Sequence, residues 1–543
     1  MKAICTMLLL LLLVNMRCYA DKPIHLLSST PLSSSSQIPS DQLLSVPIGQ
    51  PCVPIHQVHF SGISQLPFIK PESLNEWKLM LEGQCINEDA LLLYADHLNE
   101  QLVHMGYVTS YIRYPEQSLL FGVLNIDLIA GKLSSIEYQD GSHDSWSLMS
   151  AFPLQRGQVV NIHQVNQGLA NLRNSQLIPY QIEIISGNEE SNVNRLVIQR
   201  NAARAFKGRL LLESTQSQDR PTNMVSNIIM LANPLLLNDF FYMSLDSDTG
   251  EDPSKKLKSA SVLYSLPYHY WLFSLYAGYQ ESTNYQNIQL IDDIKVRNDF
   301  RSRLLSWQAE YIFHRSPSST TSASFGIQIQ TLDLFLEQYR LETQKRYASC
   351  GLLGLNHKRD LAQGSATFSL KYKQDINWFG ATRQHISGLD SARIYQFSVD
   401  IQRAFLLEGE SMYHRHELEI QLSHSKLDPL LELDSITGRY GVRGFTNSIQ
   451  IENSGNNTLK LKNELAWFTP WQGTQLYSGV DFAVTSNDRS RFWRENMLIG
   501  TEFGIRGQIG RIDYQLFFDS PLWQSISLQA DPINVGAKLS VNY

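Results

Sequence analysis

Beyond its first residues, the chain has no run near the roughly 20 apolar residues that a membrane-spanning helix needs, which argues against a helical membrane protein. Positive charge is not in excess either. Lys and Arg number 45 against 52 Asp and Glu, and the net charge of −7 gives no electrostatic reason to expect nucleic acid as a partner. The 14 histidines are scattered, with no His-Glu-x-x-His and no Cys-x-x-Cys, so neither a metal site nor a cofactor is expected. No phosphate-binding loop is present, and no nucleophile motif accompanies His357 or His385. No catalytic residue is assigned.

Cysteine is scarce. Lys2, the apolar run Leu8–Leu13 with Val14, and Cys18-Tyr19-Ala20 read as a signal peptide over residues 1–20, which makes the mature chain an exported one. Three cysteines remain after cleavage. Export permits a disulfide, and Cys52 and Cys85 are its candidates because both lie in one small N-terminal unit. Such a crosslink is worth roughly 3.5–4 kcal/mol on a chain-entropy account. Cys350 is left as a lone structural thiol.

What the sequence does contain falls into three textures. Residues 21–51 form a Ser- and Pro-rich flexible leader, with only a weak helical signal near Asp41–Val46. Residues 52–131 read as a β-α-α-β-β unit, with strands at Ile55–Phe60, Val108–Tyr114 and Val123–Ile129 and helices at Glu72–Leu81 and Asn87–Met105. Asn87 is the N-cap of the second helix, Gly106 its stop, and Leu91, Ala95, Leu98, Leu102 and Met105 its core stripe. Residues 132–202 repeat the plan, with a strand at Leu133–Tyr138, a helix capped at Asn161 with Gln164 placed for a capping box, and strands at Tyr180–Ile185 and Arg195–Gln199.

From residue 208 to 543 the pattern is alternation without helix signals. Trp271, Phe273, Leu275, Ala277 and Tyr279 share one face of a strand, and Ile533, Val535, Ala537, Leu539, Val541 and Tyr543 share one face of the last. The apolar face is rich in aromatics, as on a transmembrane β-barrel with aromatic girdles facing outer-membrane lipid. The stretch has room for about 16 strands of ~10 residues plus turns and loops. His414 and His416 are expected to face the lumen rather than to ligate a metal. Within this barrel, Gly438–Phe445 reads as a Gly-rich hairpin tip that holds Arg443 between Val442 and Gly444, with Tyr440 and Phe445 flanking it.

Cys52, Cys85, Gly106-Tyr107-Val108-Thr109-Ser110, Pro115 and Gln117 resemble the first POTRA domain of the two-partner-secretion outer-membrane transporters, the haemolysin secretion/activation family. Asn233-Pro234, Asp239 and Trp378-Phe379-Gly380-Ala381 continue the likeness. So do the signature loop Gly441-Val442-Arg443-Gly444-Phe445 and the strand motif Gly479-Val480-Asp481, up to the terminal Tyr543. The resemblance implies two periplasmic POTRA domains that catch an unfolded passenger and a 16-stranded barrel that secretes it. It also implies a lumen loop whose Arg443 pairs with Asp481, and a C-terminal Tyr543 presented to the barrel-assembly machinery during biogenesis. The passenger is expected to be a large secreted haemolysin, adhesin or contact-dependent toxin. A passive porin or receptor, or a barrel-assembly factor, is the alternative. The family often opens with a helix that plugs the barrel, and residues 21–51 depart from that pattern.

Overall fold

The structure is a computed structural model that describes residues 51–543, apart from residues 68, 142–144, 188–191, 201–204, 216–220, 252–253, 290–292, 382–390, 446–453, 472, 488–495 and 526–529. The signal peptide expected over residues 1–20 and all but the last residue of the leader expected over 21–51 lie outside the described residues.

The first module starts from the bond joining Cys52 to Cys85, with their Cα atoms 5.4 Å apart at a sequence separation of 33. Strand Gln57–Ser61 runs parallel to Val123–Ile129, whose other edge pairs antiparallel with Tyr111–Arg113. Helices Pro71–Leu79 and Glu88–His104 cover this sheet. The second begins as its acceptor-bearing cap requires, with Asn87 Oδ1 accepting from Ala90 N at 2.9 Å. Its buried face is centred on Ala90, Tyr94, Leu98 and Leu102, so the stripe is rotated from the one the pattern predicts. Tyr94 occupies the core because its hydroxyl donates to Trp77 O at 2.6 Å, which satisfies the only polar atom of an otherwise apolar ring. Burial, reinforced by Tyr114, pushes the Tyr94 phenol well above its usual range.

The strand predicted at Val108–Tyr114 shrinks to Tyr111–Arg113. Its neighbours Gly106 and Gly131 build the joint between modules, and Ser110, freed from the strand, braces Gly131. Gly106 O accepts from Ile162 N at 2.8 Å, Gly131 O accepts from Val160 N at 2.9 Å, and Ser110 Oγ accepts from Gly131 N at 3.1 Å. Gly106, at φ +91°, has no room for a Cβ against the Asn161 side chain.

The second module has the same topology as the first. Lys132–Tyr138 runs parallel to Val193–Arg200, which pairs antiparallel with Tyr180–Ser186. Asn161 caps helix Ile162–Leu172, but no capping box forms. Gln164 Nε2 donates to Pro153 O at 3.1 Å, pulled away by the loop that crosses the helix start. An additional helix, Ser145–Ala151, which the sequence pattern does not announce, faces the barrel. His269, at a periplasmic turn of the barrel, receives most of that contact. Its carbonyl accepts from Gln167 and Asn171, and its backbone N donates to Ser150 O at 2.9 Å. Asn238 and Ser147 bond reciprocally, and Arg315 Nε donates to Gln167 Oε1 at 2.7 Å. The second module is therefore fastened to the barrel base by hydrogen bonds rather than by a shared apolar core.

The remaining chain closes into an antiparallel barrel of 16 strands, from Phe206–Thr215 to Asn534–Asn542, with the two-residue strand Tyr339–Arg340 appended at one rim. At the closing seam, Gly208 and Tyr543 exchange both backbone hydrogen bonds, at 3.0 and 2.9 Å. The Tyr543 ring lies across Gly208, where a Cβ would overlap it, and its hydroxyl donates to Asn227 Oδ1 at 3.0 Å. Trp271–Gln289 and Asp293–Ser316 are about twice the ~9–11 residues a tilted strand needs to cross a bilayer, so they stand proud of the membrane at the outer rim. Large apolar side chains such as Leu275, Leu353, Leu355 and Leu516 are exposed on the outer surface, which is the arrangement lipid requires.

One expectation about the wall is overturned. His414 and His416 face outward, not into the lumen. They share alternation with Leu418, Ile420 and Leu422, and the His416 ring is bonded to Asn463, whose neighbour Glu464 points inward to Arg443. Alternation alone leaves the two faces interchangeable when both carry polar residues. The inward contacts of Glu464 settle the register.

Thiol labelling of the unreduced, denatured mature chain should modify Cys350 alone, and reduction should raise the count to all the mature cysteines. Labelling of every thiol without reduction would refute the Cys52–Cys85 link. In detergent the native chain should migrate faster on a gel before boiling than after, and identical migration would contradict the closed barrel.

Candidate functional site

Between strands Glu410–Ser423 and Asn457–Phe468, the described residues 424–445 and 454–456 leave the outer rim and turn back into the barrel. The sequence pattern places Gly438–Phe445 at the tip of a strand hairpin. Among the described residues its stem pairs through two residues on each side, Asp434–Ser435 with Ser454–Gly455. The tip itself is a compact turn, closed by Val442 N to Ile436 O at 2.9 Å, Gly441 N to Gly438 O at 3.0 Å and Gly438 N to Phe445 O at 3.3 Å. Val442 and Phe445 are buried against Ile436, Ala483 and Leu498, so the loop has a small apolar core of its own, pressed against the wall. Tyr440 does not join it and is 83% exposed. Gly444, at φ +98°, passes so close to Ser520 O that a Cβ would overlap it.

Arg443 meets the wall at Asp481. Its Nε donates to Oδ2 at 2.7 Å and its Nη2 to Oδ1 at 2.7 Å, the two-pronged geometry that a planar guanidinium makes with a carboxylate. Its backbone N donates to Asp481 Oδ2 at 3.0 Å, so one carboxylate fixes both the main chain and the side chain of this residue. The pair is almost fully enclosed, with side-chain exposures of 7% for Arg443 and 0% for Asp481.

Three carboxylates and three guanidiniums surround this contact, and sequence reasoning names only one of each. Arg443 Nη1 also donates to Glu464 Oε2 at 3.0 Å and lies 3.7 Å from Glu502 Oε1. Arg506 donates to the other oxygen of Glu464 at 2.7 Å. Arg439 bonds Glu502 at 2.9 Å and stacks over the Phe517 ring, 3.6 Å from its centroid. Balanced charge matters here. A buried ion costs several kcal/mol to dehydrate, and attraction offsets that only when each charge is matched and hydrogen-bonded. The inward positions of alternating strands carry these acids, so period-two reading with the face assigned would have found Glu464 and Glu502.

Two glycines make the approach possible. The guanidinium lies flat over Gly479, where a Cβ would overlap it, and Arg443 O sits where a Cβ of Gly500 would be. The wall is therefore notched to receive the loop.

The arrangement has no nucleophile paired with a base. It can hold a loop in a lumen, and it can release it. A family model described as haemolysin secretion/activation protein ShlB/FhaC/HecB matches residues 192–507, more than half of the chain. The chain belongs to this family. A ShlB-type POTRA domain model matches residues 53–131. Membership makes the chain an outer-membrane β-barrel transporter of the two-partner secretion type, with its POTRA modules in the periplasm.

The relatives are distant but nearly full-length. The outer membrane transporter CdiB-2 of Burkholderia pseudomallei strain 1026b is 23% identical over 495 residues, covering 89% of this chain and 83% of that one. The hemolysin transporter protein ShlB of Serratia marcescens is 26% identical over 512 residues, covering 92% and 87%. The fold is shared with the solved structure of CdiB from Escherichia coli, with a TM-score of 0.83 at 21% identity over 93% of this chain and 94% of that one.

Gly479→Ala should leave the barrel inserted but unseat the loop, since the added methyl meets the guanidinium and overpacking costs about 1–3 kcal/mol. Trypsin added to the detergent-solubilised barrel should then cut after Arg439 or Arg443 at least tenfold faster, on the order of what that energy implies. Unchanged resistance would show that the notch is not what seats Arg443.

Proposed function

We propose that the two modules at residues 52–202 capture an unfolded exported passenger and feed it into the barrel, and that the Arg443 loop is the movable closure of that route. The observation that carries this reading is the Arg443–Asp481 contact. The tip of a loop entering from the outer rim is held against the inner wall by an enclosed, charge-matched joint rather than by strand pairing.

The periplasmic side is built for a client of weak sequence demand. In each module the central strand is flanked by strands whose outer edges are unpaired over most of their length among the described residues, and an unfolded chain can add a strand there through backbone hydrogen bonds. Leu92, Leu93, Leu120 and Phe121 are exposed on the first module, and Trp146 and Met149 on the helix that faces the barrel base. With no ATP motif, net transport draws on folding of the passenger outside. The passenger is a large secreted protein of the haemolysin, adhesin or contact-dependent toxin type, and the transporter itself performs no catalysis. Tyr543, closing the seam, is the feature presented to the barrel-assembly machinery.

The test is secretion of the cognate passenger. Arg443→Ala should insert at normal levels yet secrete poorly, because removing one partner of an enclosed pair costs about 3–5 kcal/mol while the closed ladder of strands persists. Arg443→Lys should recover part of the activity, and Asp481→Ala should match Arg443→Ala, with the double variant little worse than either. Full secretion by Arg443→Ala would reduce the motif to an ordinary Gly-rich loop.

A further inference from the structure

Cys350, set aside by sequence as a lone thiol, stands in a constellation that the Arg443 cluster does not use. It lies in strand Arg346–Leu361, directly opposite Asp375 of strand Gly364–Ile376, and both side chains point into the barrel. The thiol donates to Asp375 Oδ1 at 3.3 Å. The third member comes from the lumen loop. Glu432 is held in a turn by its own N donating to Asp428 O at 3.0 Å, while its carbonyl accepts from Gln421 Nε2 at 3.2 Å. One potential ligand atom from each of Cys350, Asp375 and Glu432 lies within 4.8 Å of the others.

Glu432 gives an independent sign that this cluster is made for a ligand. The residue is only 9% exposed, its carboxyl converges on that of Asp375 within hydrogen-bonding reach, and its Oε2 is buried with no donor among the described residues. A buried carboxylate oxygen left unmatched is costly, and burying it within reach of a second carboxylate and a thiol adds to that cost. Arg346, a cation at the head of the same strand as Cys350, is engaged with Asp428. Lys373 lies near enough to offset part of the charge, and a bound cation would supply the missing partner to Glu432 Oε2.

We propose that Cys350, Asp375 and Glu432 form a divalent transition-metal site of zinc type, which staples the descending limb of the lumen loop to the barrel wall. The donor set selects the ion. Calcium and magnesium take oxygen ligands, whereas one sulfur with two carboxylate oxygens suits a borderline-soft tetrahedral ion, with water in the fourth position. The site lies beside the Arg346–Asp428 ion pair, which ties the same limb to the same strand. The loop is then held twice, at its tip by Arg443 on one part of the wall and at its descending limb by the metal on another.

The test uses the full-length protein in detergent, stripped with a chelator and titrated with zinc and with cobalt. The expected result is one zinc per chain, and a thiolate-to-cobalt charge-transfer absorption in the near ultraviolet. Cys350→Ser should abolish that absorption. Glu432→Gln should weaken zinc binding by at least about tenfold while heat-dependent gel migration shows the barrel still folded. If either variant fails to fold, the cobalt spectrum of the unaltered chain decides alone, since it reports sulfur ligation directly. Absence of stoichiometric zinc, zinc bound equally by Cys350→Ser, or cobalt bound without the thiolate band would each overturn the proposal. Arg443→Ala should retain the metal whether or not the secretion reading holds, so the two proposals fail separately.

Discussion

The enclosed contact between Arg443 and Asp481 is the constraint on which the interior of this barrel depends. A ring of 16 strands leaves a lumen wide enough for water, and no backbone ladder can tie a loop across it. Only side chains can, and in a partly wet channel an isolated surface-type ion pair is worth less than about 1 kcal/mol. The structure avoids that limit by burying the pair against Gly479 and Gly500 and completing it with Glu464, Glu502, Arg439 and Arg506. A joint made this way is specific in geometry and local in extent. It can hold a loop in one pose without adding to the rigidity of the wall.

The same separation of wall and fittings recurs at the periplasmic face. The second module meets the barrel through amide side chains and backbone groups centred on His269 and Asn238. Hydrogen bonds fix orientation while contributing modestly to net stability, since each replaces one made to water. The joint between the modules follows the same rule, using Gly106, Gly131 and the cap residue Asn161. The barrel is therefore the stable body, and the parts that handle a passenger are positioned on it by directional contacts.

Much of this organisation could be read from residue order. The helix cap at Asn87, the helix after Asn161 and the alternating runs of the barrel are local patterns, and local patterns reflect energies set by near neighbours in the chain. The failures share a cause as well. The strand predicted from Val108 shortened because Ser110 turns to bond Gly131 at the end of the module, beside the Gly106 contact with the next one. Gln164 left its capping position for Pro153 O. The helix stripe rotated to admit Tyr94, whose hydroxyl found Trp77 O. In each case a partner distant in sequence outbid the local preference.

Sequence by itself determined the division into modules and barrel, the alternation that lets strands face lipid, and the family motifs around Arg443 and Asp481. Those features depend on composition and on spacings of two or of three to four residues, which are present before the chain folds. Tertiary structure decided which face of each strand points inward. It turned His414 and His416 to the outside and gathered Glu464, Glu502, Arg439 and Arg506 around Arg443. It also brought Glu432 of the loop beside Cys350 and Asp375. Closure of the barrel is the physical reason. A period-two strand has two equivalent faces until the sheet rolls up and one of them becomes the interior, and only then do residues dozens of positions apart share a dielectric, a charge balance and a contact.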